Sequence, residues 1–218
     1  MNRFGQDICR ALLSLALAVG LAACQTIQYE ALEAVGIEKR GILEARVEAA
    51  SEAQDEAGEQ FETTLERFRS VVEFDGGDLE RAYRRLNREY ERSVDRAGAV
   101  SQRIEAVESV AEDLFAEWEE ELERYSSADL RARSRELLEA TRTRYASMVR
   151  AMRRAERTID PVLQAFEDQV LFLKHNLNSM AVESIRGELG EIEAETEALL
   201  TAMRDSIEEA DRFIETLN

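Results

Sequence analysis

Histidine and cysteine are scarce in this sequence: His175 is the single histidine among 218 residues, and Cys9 and Cys24 are the two cysteines. Zinc and di-iron centres in helical proteins need several His or Cys ligands beside carboxylates, so this scarcity argues against such a centre. The chain also lacks an HExxH motif, a glycine-rich phosphate loop and a nucleophile elbow. We therefore expect no enzymatic activity, no catalytic residue, no metal site and no cofactor.

Proline and the signature of β-strands are scarce as well. Pro161 is the only proline, aromatic residues make up 6% of the chain, and no stretch alternates apolar with polar residues over a useful length. Apolar residues instead recur at steps of three and four, close to the 3.5-residue repeat of coiled coils. The sequence therefore predicts an all-α fold, an elongated antiparallel four-helix bundle with coiled-coil-like packing.

Three short stretches interrupt this pattern and share glycine, serine or asparagine: FDGGD (74–78), YSSAD (125–129) and HNLNS (175–179). They predict helices of about 45, 47, 49 and 38 residues, and short turns between similar lengths are typical of antiparallel neighbours. The residues expected to cap the new helices are Asp78, Ser126 or Ser127, and Asn178 or Ser179. Pro161 could start a helix, but we interpret it as a kink within the third helix because the apolar spacing continues through it.

The charge pattern predicts which helices face each other. Residues 44–66 and 104–123 are rich in Asp and Glu, whereas 81–103 and 131–150 are rich in Arg. Folding at the first two breaks sets each acidic run against a basic one. Exposed ion pairs each contribute little, so the pattern specifies register rather than stability. We accordingly interpret the Arg-rich stretch 131–157 as neutralising its acidic neighbours rather than as an anion-binding helix.

The apolar run over residues 11–23 has thirteen residues, which is too short for a membrane-spanning helix of roughly 20 residues. Basic residues precede it and small residues end it, as in an export signal, so we predict a signal peptide over residues 1–23. Leu21-Ala22-Ala23-Cys24 resembles the lipobox of bacterial lipoproteins, which implies cleavage before Cys24 and acylation of that residue. A chance cysteine behind an ordinary secretory signal is the alternative.

This interpretation also predicts location and domain organisation. Gln25 follows the cysteine, and by the sorting rule for such lipoproteins it implies the outer membrane, with the protein facing the periplasm. Residues 24–41 form the lipidated tether and the start of a helix, and residues 42–218 form the bundle. The mature chain then has no cysteine left for a disulfide. Its net charge of −18 before cleavage predicts that it does not bind nucleic acid.

Three segments resemble an uncharacterised family of bacterial lipoproteins that is known only as a domain of unknown function: YEALEAVGIEKRGIL (29–43), FRSVVEFDGGDLERAYRRLNREYE (68–91) and VLQAFEDQVLFLKHNLN (162–178). The motifs FDGGDL and FLKHNLN are its most specific parts. The resemblance implies an exported, lipid-anchored, all-helical protein, and it brings no catalytic residue, ligand or partner.

The stretch VLFLKHNLN (170–178) stands out because Val170 to Leu173 are apolar on every side of a helical turn. A well-buried helix end is one explanation. The predicted topology also brings this stretch and FDGGD to the same end of the bundle, so a docking surface is the other. The residues of this predicted tip are Phe74, Asp75, Asp78, Lys174, His175, Asn176 and Asn178.

The function that these observations favour is a non-catalytic scaffold or adaptor of the cell envelope. It would be held to the membrane by its lipid, with an envelope protein or a second copy of itself as partner. The alternative is a periplasmic module that binds a small polar ligand near Lys174 and His175. A third hypothesis is an envelope enzyme that needs residues from a partner.

Overall fold

The computed structural model describes residues 39–74 and 78–217. The chain divides into two units, Met1–Gly41 and Ile42–Asn218, of which the second is the helical bundle. The predicted signal peptide, Cys24, Gln25 and most of the tether lie outside the described residues. Asp75 and the glycine pair that follows it also lie outside them.

The described residues form six helices and no strand, which confirms the prediction of an all-α bundle. Their bounds are α1 over 39–72, α2 at Leu79–Leu122, α3 at Ala128–Arg157, α4 at Ile159–His175, α5 at Ser179–Arg186 and α6 at Leu189–Leu217. The longest, α2, has 44 residues and spans about 66 Å at 1.5 Å per residue. The prediction of four helices is therefore wrong in number, because the third and fourth are each divided.

Contacts between helices show the antiparallel order. Gln54 and Arg69 of α1 bond to Ser206 and Glu193 of α6, so the two helices run in opposite directions. On α2 and α3, Glu108 and Glu119 pair with Arg153 and Arg142, again with opposite sense. Both α3 and α4 pack along α2, and α6 packs along both of them. The antiparallel arrangement therefore agrees with the prediction.

The third predicted helix is divided at Thr158, the single residue between α3 and α4, which keeps a right-handed backbone (φ −83°, ψ −7°). Pro161 has no N–H to donate to the Arg157 carbonyl, and its ring clashes with that carbonyl. The helix therefore breaks in the turn before the proline. Pro161 then lies in the first turn of α4, where an N–H needs no intrahelical partner. The interpretation as a kink inside one continuous helix is wrong.

The fourth predicted helix is divided at Gly187 and Glu188. The Gly187 N–H donates to the Ser184 carbonyl at 3.3 Å and the Glu188 N–H to the Ile185 carbonyl at 3.1 Å. Both bonds span three residues, so the end of α5 is tightened into a 3₁₀-like turn. Glycine is a poor helix former, and Gly190 follows closely. These residues explain why α5 has 8 residues and α6 begins anew.

The helix starts agree with the predicted caps. In α2, α3 and α5 the backbone N–H of the third residue donates to a cap side chain: Arg81 to Asp78 at 3.0 Å, Leu130 to Ser127 at 3.3 Å and Ala181 to Asn178 at 3.1 Å. Such caps typically stabilise a helix by about 1 kcal/mol. The predicted breaks therefore lie where local chemistry can end one helix and begin the next.

The core is apolar but contains a few polar side chains. Phe61, Phe68, Phe166 and Phe213 are among its largest fully buried residues. The buried Thr64 and Ser93 hydroxyls bond each other at 2.9 Å between α1 and α2. Between α1 and α6, the buried Ser206 hydroxyl donates to the Gln54 side-chain oxygen at 2.9 Å. Because an unmade buried hydrogen bond is costly, these pairs favour one register of the helices over its neighbours.

We expect Ser206→Ala to lower the free energy of unfolding by about 1–3 kcal/mol, because it leaves the buried Gln54 oxygen without its donor. Urea unfolding followed by circular dichroism measures the change. Thr201→Ala on the exposed side of the same helix is the control and should change stability by less than about 0.5 kcal/mol. Adding Gln54→Leu to Ser206→Ala should recover part of the loss. Equal effects at positions 201 and 206 would contradict the assignment.

Ion pairs confirm the predicted register of charges. Glu56 pairs with Arg96 between α1 and α2, and Glu119 with Arg142 between α2 and α3 at 2.5 Å. In each pair the carboxylate comes from a predicted acidic run and the guanidinium from a predicted basic one. These side chains are largely exposed, so each pair contributes little free energy and mainly selects the partner helix.

Candidate docking site

The end of α4 presents apolar side chains on both of its sides. Val170 and Leu173 point into the core and are buried, as are Val162 and Phe166 on the preceding turns. Leu171 and Phe172 lie between them in sequence, so the helical repeat turns them outward. They are exposed. The explanation of this stretch as a well-buried helix end therefore holds for Val170 and Leu173 and is wrong for Leu171 and Phe172.

The turn after α4 is held by its asparagines. The Asn176 side-chain amide donates to the Phe172 carbonyl at 2.9 Å, and the Asn176 N–H donates to the Leu173 carbonyl at 3.2 Å. Asn178 caps α5 through its side-chain oxygen. Both residues belong to the predicted tip, and both side chains hold backbone in place. The two asparagines thus shape the turn.

Beyond the turn, α5 buries one face and exposes another. Ala181, Val182 and Ile185 are buried, whereas Met180 on the opposite side is 82% exposed. Leu177 in the turn is also exposed. The exposed residues that surround the junction, named the α4–α5 corner, are Leu171, Phe172, Lys174, His175, Leu177 and Met180.

The remaining residues of the predicted tip are placed differently. Phe74 is partly buried against the core. Asp78 caps α2 and pairs with Arg81 at 3.4 Å. The Arg186 guanidinium of α5 donates to the Val72 carbonyl at 2.9 Å, which places α5 beside the last turn of α1. Among the described residues, no hydrogen bond or ion pair joins Asp78 to Lys174 or His175.

The four exposed apolar side chains of the corner are absent from the predicted tip, which consists mainly of polar and charged residues. A signal for two of them, Leu171 and Phe172, exists in the sequence. The buried face of α4 repeats at Val162, Phe166, Val170 and Leu173. Leu171 and Phe172 fall out of phase with this repeat. An apolar residue out of phase with the core stripe is the pattern expected of a surface contact.

The corner is also unusual in charge. No Asp or Glu occurs between Asp168 and Glu183, in a chain with 46 acidic residues. Lys174 and His175 lie in the last turn of α4, where the helix dipole favours positive charge. The corner therefore combines exposed apolar side chains with the cationic Lys174, in a stretch of sequence that has no acidic residue.

A second cluster surrounds Tyr145 of α3, which is partly buried against the core. Its ring packs edge-on against Phe115 at 5.3 Å and Phe213 at 6.1 Å between ring centroids. Burial raises the pKa of Tyr145 to about 12, and the nearby Glu108 carboxylate adds to the rise. Arg153 bonds Glu108 and Glu156, and its pKa is raised chiefly by the bond to Glu108. With an aromatic neighbour on each side and ion pairs at its edge, this cluster joins α2, α3 and α6.

We expect Tyr145 to keep its proton in the folded protein between pH 10.0, the ordinary tyrosine value, and about pH 12. The unfolded chain ionises first in this window and binds fewer protons than the folded one, so stability falls as pH rises. Urea unfolding at increasing alkaline pH measures the fall. Tyr145→Phe should lose less stability across the window than the wild type. A wild type and variant with the same alkaline slope would contradict the assignment.

Other features bear on the chemistry available to the described part of the chain. A cleft of about 270 Å³ lies between α1 and α6, with Gly58 and Leu200 in its walls. Another of about 260 Å³ lies where α3 meets α4, beside Gly98. Within the described ranges, no cluster of three or more His, Cys, Asp or Glu residues could hold a metal ion. No described helix has both the length and the apolar character needed to cross a membrane.

Comparison with known proteins adds one finding. A family model described as "Protein of unknown function (DUF2959)" matches residues 28–217. No curated protein and no solved structure matches the chain. The match confirms the resemblance to a family of unknown function, and the lipid anchor stays a prediction.

Proposed function

We propose, from the premise that the chain belongs to the family described as "Protein of unknown function (DUF2959)", that it is a lipid-anchored scaffold or adaptor of the bacterial envelope. Acylated Cys24 holds it to the outer membrane on the periplasmic side. The α4–α5 corner binds a second envelope protein. The action is positional and non-catalytic.

The observation that carries this proposal is the exposure of the corner. Leu171, Phe172, Leu177 and Met180 are between 39% and 82% exposed within ten residues of sequence. Apolar side chains that cluster on a surface mark interaction sites more often than single ones do. Burying a side chain of this size contributes about 1.5–3 kcal/mol. A few such residues can therefore supply most of the free energy of a protein contact.

The charges of the corner indicate the chemistry of the partner. Lys174 is exposed beside the apolar side chains, and the neighbouring sequence has no acidic residue between Asp168 and Glu183. A partner surface with an apolar cleft and carboxylates at its rim would be complementary in both respects. The chain as a whole carries a net charge of −18, so its acidic runs, such as residues 104–123, would repel the same partner.

The bundle suits a role that depends on position. Its helices are fixed in register by buried hydrogen bonds such as Thr64–Ser93 and by ion pairs such as Glu56–Arg96. The turn that carries the corner is itself tied down by Asn176, Asn178 and the bond from Arg186 to the end of α1. A preorganised surface binds with a smaller loss of conformational entropy than a mobile one.

The test is photo-cross-linking in living cells with the full chain. A photoreactive amino acid replaces Leu177 or Met180, and Val94, an exposed apolar residue on α2, is the matched control. We expect one envelope protein to be captured from both corner positions and not from position 94. Adding Phe172→Asp should reduce capture at least about tenfold, since a charge in an apolar interface is costly.

Capture of the same proteins from positions 94 and 180 would contradict the proposal, because it would reflect random encounters. A captured protein that does not bind the wild-type chain once it is purified would also contradict the proposal. If the corner captures no protein, the ligand-binding alternative is tested by thermal unfolding with small polar molecules. A ligand that binds near Lys174 and His175 should stabilise the wild type and should stabilise Lys174→Ala and His175→Ala less, so these two variants are the controls.

A further inference from the structure

The cleft of about 270 Å³ between α1 and α6, named the α1–α6 cleft, has an unpaired polar group in its lining. Gln54 lines the cleft and is fully buried. Its side-chain oxygen accepts from the Ser206 hydroxyl at 2.9 Å, whereas the nitrogen of the same amide, Nε2, has no hydrogen-bond partner among the described residues. A buried donor without an acceptor is costly, and folded proteins contain few of them. The Gln54 amide thus needs an acceptor that the described residues do not supply.

A second unpaired polar atom lies on the same side of α1. The buried Ser51 hydroxyl also has no hydrogen-bond partner within the described part of the chain. Ser51 lies four residues before Asp55 and seven before Gly58, both of which line the cleft. Residues at these spacings share one face of a helix. The side of α1 that forms the cleft therefore carries two polar atoms that the bundle itself leaves unsatisfied.

Gly58 widens the cleft at its centre. Glycine is a poor residue for the interior of a helix, and Gly58 lies well inside α1. A β-carbon at this position would lie 3.4 Å from Leu200 Cδ2 and 3.8 Å from Met203 Sδ, which is ordinary van der Waals contact. Close packing of the helices therefore does not require a glycine here. The missing side chain leaves space beside Leu200 and Met203.

The wall and the rim of the cleft differ in chemistry. Apolar side chains of α6 form the wall, at Leu200, Met203 and Ile207. The rim carries exposed carboxylates of α1 and a guanidinium of α6, at Asp55, Glu59, Glu62 and Arg204. Within residues 39–74 and 78–217, none of these carboxylates has a hydrogen-bond or ion-pair partner, and Arg204 donates to the Leu200 carbonyl at 3.2 Å. The excess of carboxylates makes the rim favourable for a cation.

We infer that the α1–α6 cleft binds a small organic amine that also carries an oxygen acceptor. The oxygen accepts from Gln54 Nε2, the carbon skeleton packs against Leu200 and Met203, and the ammonium group lies at the carboxylate rim. Apolar walls with a few placed polar groups are typical of small-ligand sites. Because Gln54 is fully buried, a side chain of the wall has to move for the oxygen to reach Nε2, and the flexible Met203 is suited to do so. The inference does not depend on the function proposed for the α4–α5 corner, which lies on other helices.

The test compares three linear probes of similar length on the full chain purified in a mild detergent: aminohexanol, hexylamine, which lacks the oxygen, and hexanediol, which lacks the charge. Heteronuclear NMR follows the side-chain amide signals of Gln54, which are identified by their loss in Gln54→Leu. We expect aminohexanol to bind saturably and to shift these signals. Hexylamine should bind at least about fivefold more weakly, because it leaves the buried Nε2 donor unsatisfied. Hexanediol should bind at least about twofold more weakly, since an exposed charge pair contributes less.

Gly58→Leu is the blocking variant, because its side chain fills the space beside Leu200 and Met203. It should abolish the binding of aminohexanol. Gly98→Leu is the matched control: it makes the same change within α2, where nothing lies within 4 Å of an added β-carbon, and it should bind like the wild type. Both changes replace glycine in a helix by a better helix former, so the helical circular dichroism should be kept. If Gly58→Leu does not fold, Gln54→Leu takes its place and should lower the affinity for aminohexanol to that for hexylamine.

Several results would overturn the inference. Equal binding of aminohexanol by the wild type and by a folded Gly58→Leu chain would place the probe in the detergent or elsewhere on the surface. Equal affinities for aminohexanol and hexylamine would show that no oxygen is recognised. Gln54 amide signals that no probe shifts, or the absence of saturable binding, would show that the cleft takes no such ligand and that an ordered water alone satisfies Nε2.

Discussion

Phe166→Ala is expected to lower the free energy of unfolding by about 3–5 kcal/mol, the loss typical of truncating a buried phenylalanine. Phe166 is fully buried on α4. Its ring packs edge-on against Phe68 of α1, with 6.4 Å between the ring centroids and 70° between the planes. The substitution removes apolar contacts and leaves a cavity where two non-sequential helices meet. Urea unfolding followed by far-ultraviolet circular dichroism measures the loss.

Phe172→Ala is the matched control, because it makes the same chemical change six residues later on the same helix. Phe172 belongs to the exposed corner, so its truncation should change the free energy of unfolding by less than about 1 kcal/mol. The two variants together separate burial from helix propensity. Losses of similar size at the two positions would show that Phe166 is not a core residue, or that Phe172 is packed in solution.

Phe166→Ala and Phe172→Ala should also differ in their effects on function. Phe166→Ala should weaken every property that needs the folded bundle. Phe172→Ala should keep the fold and weaken only the capture of a partner at the α4–α5 corner. A residue whose truncation has no effect on stability and a large effect on binding is the signature of a contact surface.

The helical pattern, the antiparallel order and the caps could be predicted from the sequence because each depends on local chemistry or on simple periodicity. Asp78, Ser127 and Asn178 have side chains that satisfy free backbone N–H groups at a helix start, and this requirement is independent of tertiary structure. The pairing of Glu56 with Arg96 follows from folding two charged runs back on each other. Such features need only local chemistry and the assumption that consecutive helices fold back on each other.

The breaks at Thr158 and Gly187 are harder to predict. The apolar stripe of α3 continues into α4, so periodicity alone gives one helix, and the missing N–H of Pro161 decides the outcome. At Gly187 the cost of glycine in a helix is about 1 kcal/mol, which tertiary contacts could have offset. In both cases a small local energy competes with packing, and the sequence does not show which is larger.

The candidate site could be predicted in position but not in composition. Lys174 and His175 stand out in the sequence as rare residue types, whereas Leu177 and Met180 are common ones whose exposure depends on where neighbouring helices lie. The same holds for Leu130 and Leu137, two common residues that are exposed on α3. Surfaces defined by the absence of a neighbour require the tertiary structure.

Cys24→Ser is expected to abolish incorporation of a fatty-acid label completely. A serine hydroxyl does not replace the thiolate as the nucleophile in thioether formation, because it is far less readily ionised. Without the first lipid, the cleavage and the further acylation implied by the lipobox resemblance should not follow. Cells grown with an alkyne analogue of palmitate would show the label on the wild-type chain and none on the variant. Purification followed by intact mass measurement would give the added mass.

Cys9→Ser is the control that makes this result specific, because Cys9 is the chain's only other cysteine and lies within the predicted signal peptide. It should leave labelling unchanged. Each buried CH₂ contributes about 0.8 kcal/mol to membrane binding, and two or more acyl chains are needed for a stable anchor. Detergent phase partitioning should therefore place the wild type and Cys9→Ser in the detergent phase. Label on Cys24→Ser, or none on the wild type, would remove the anchor from the proposed function while leaving the α4–α5 corner to be tested separately.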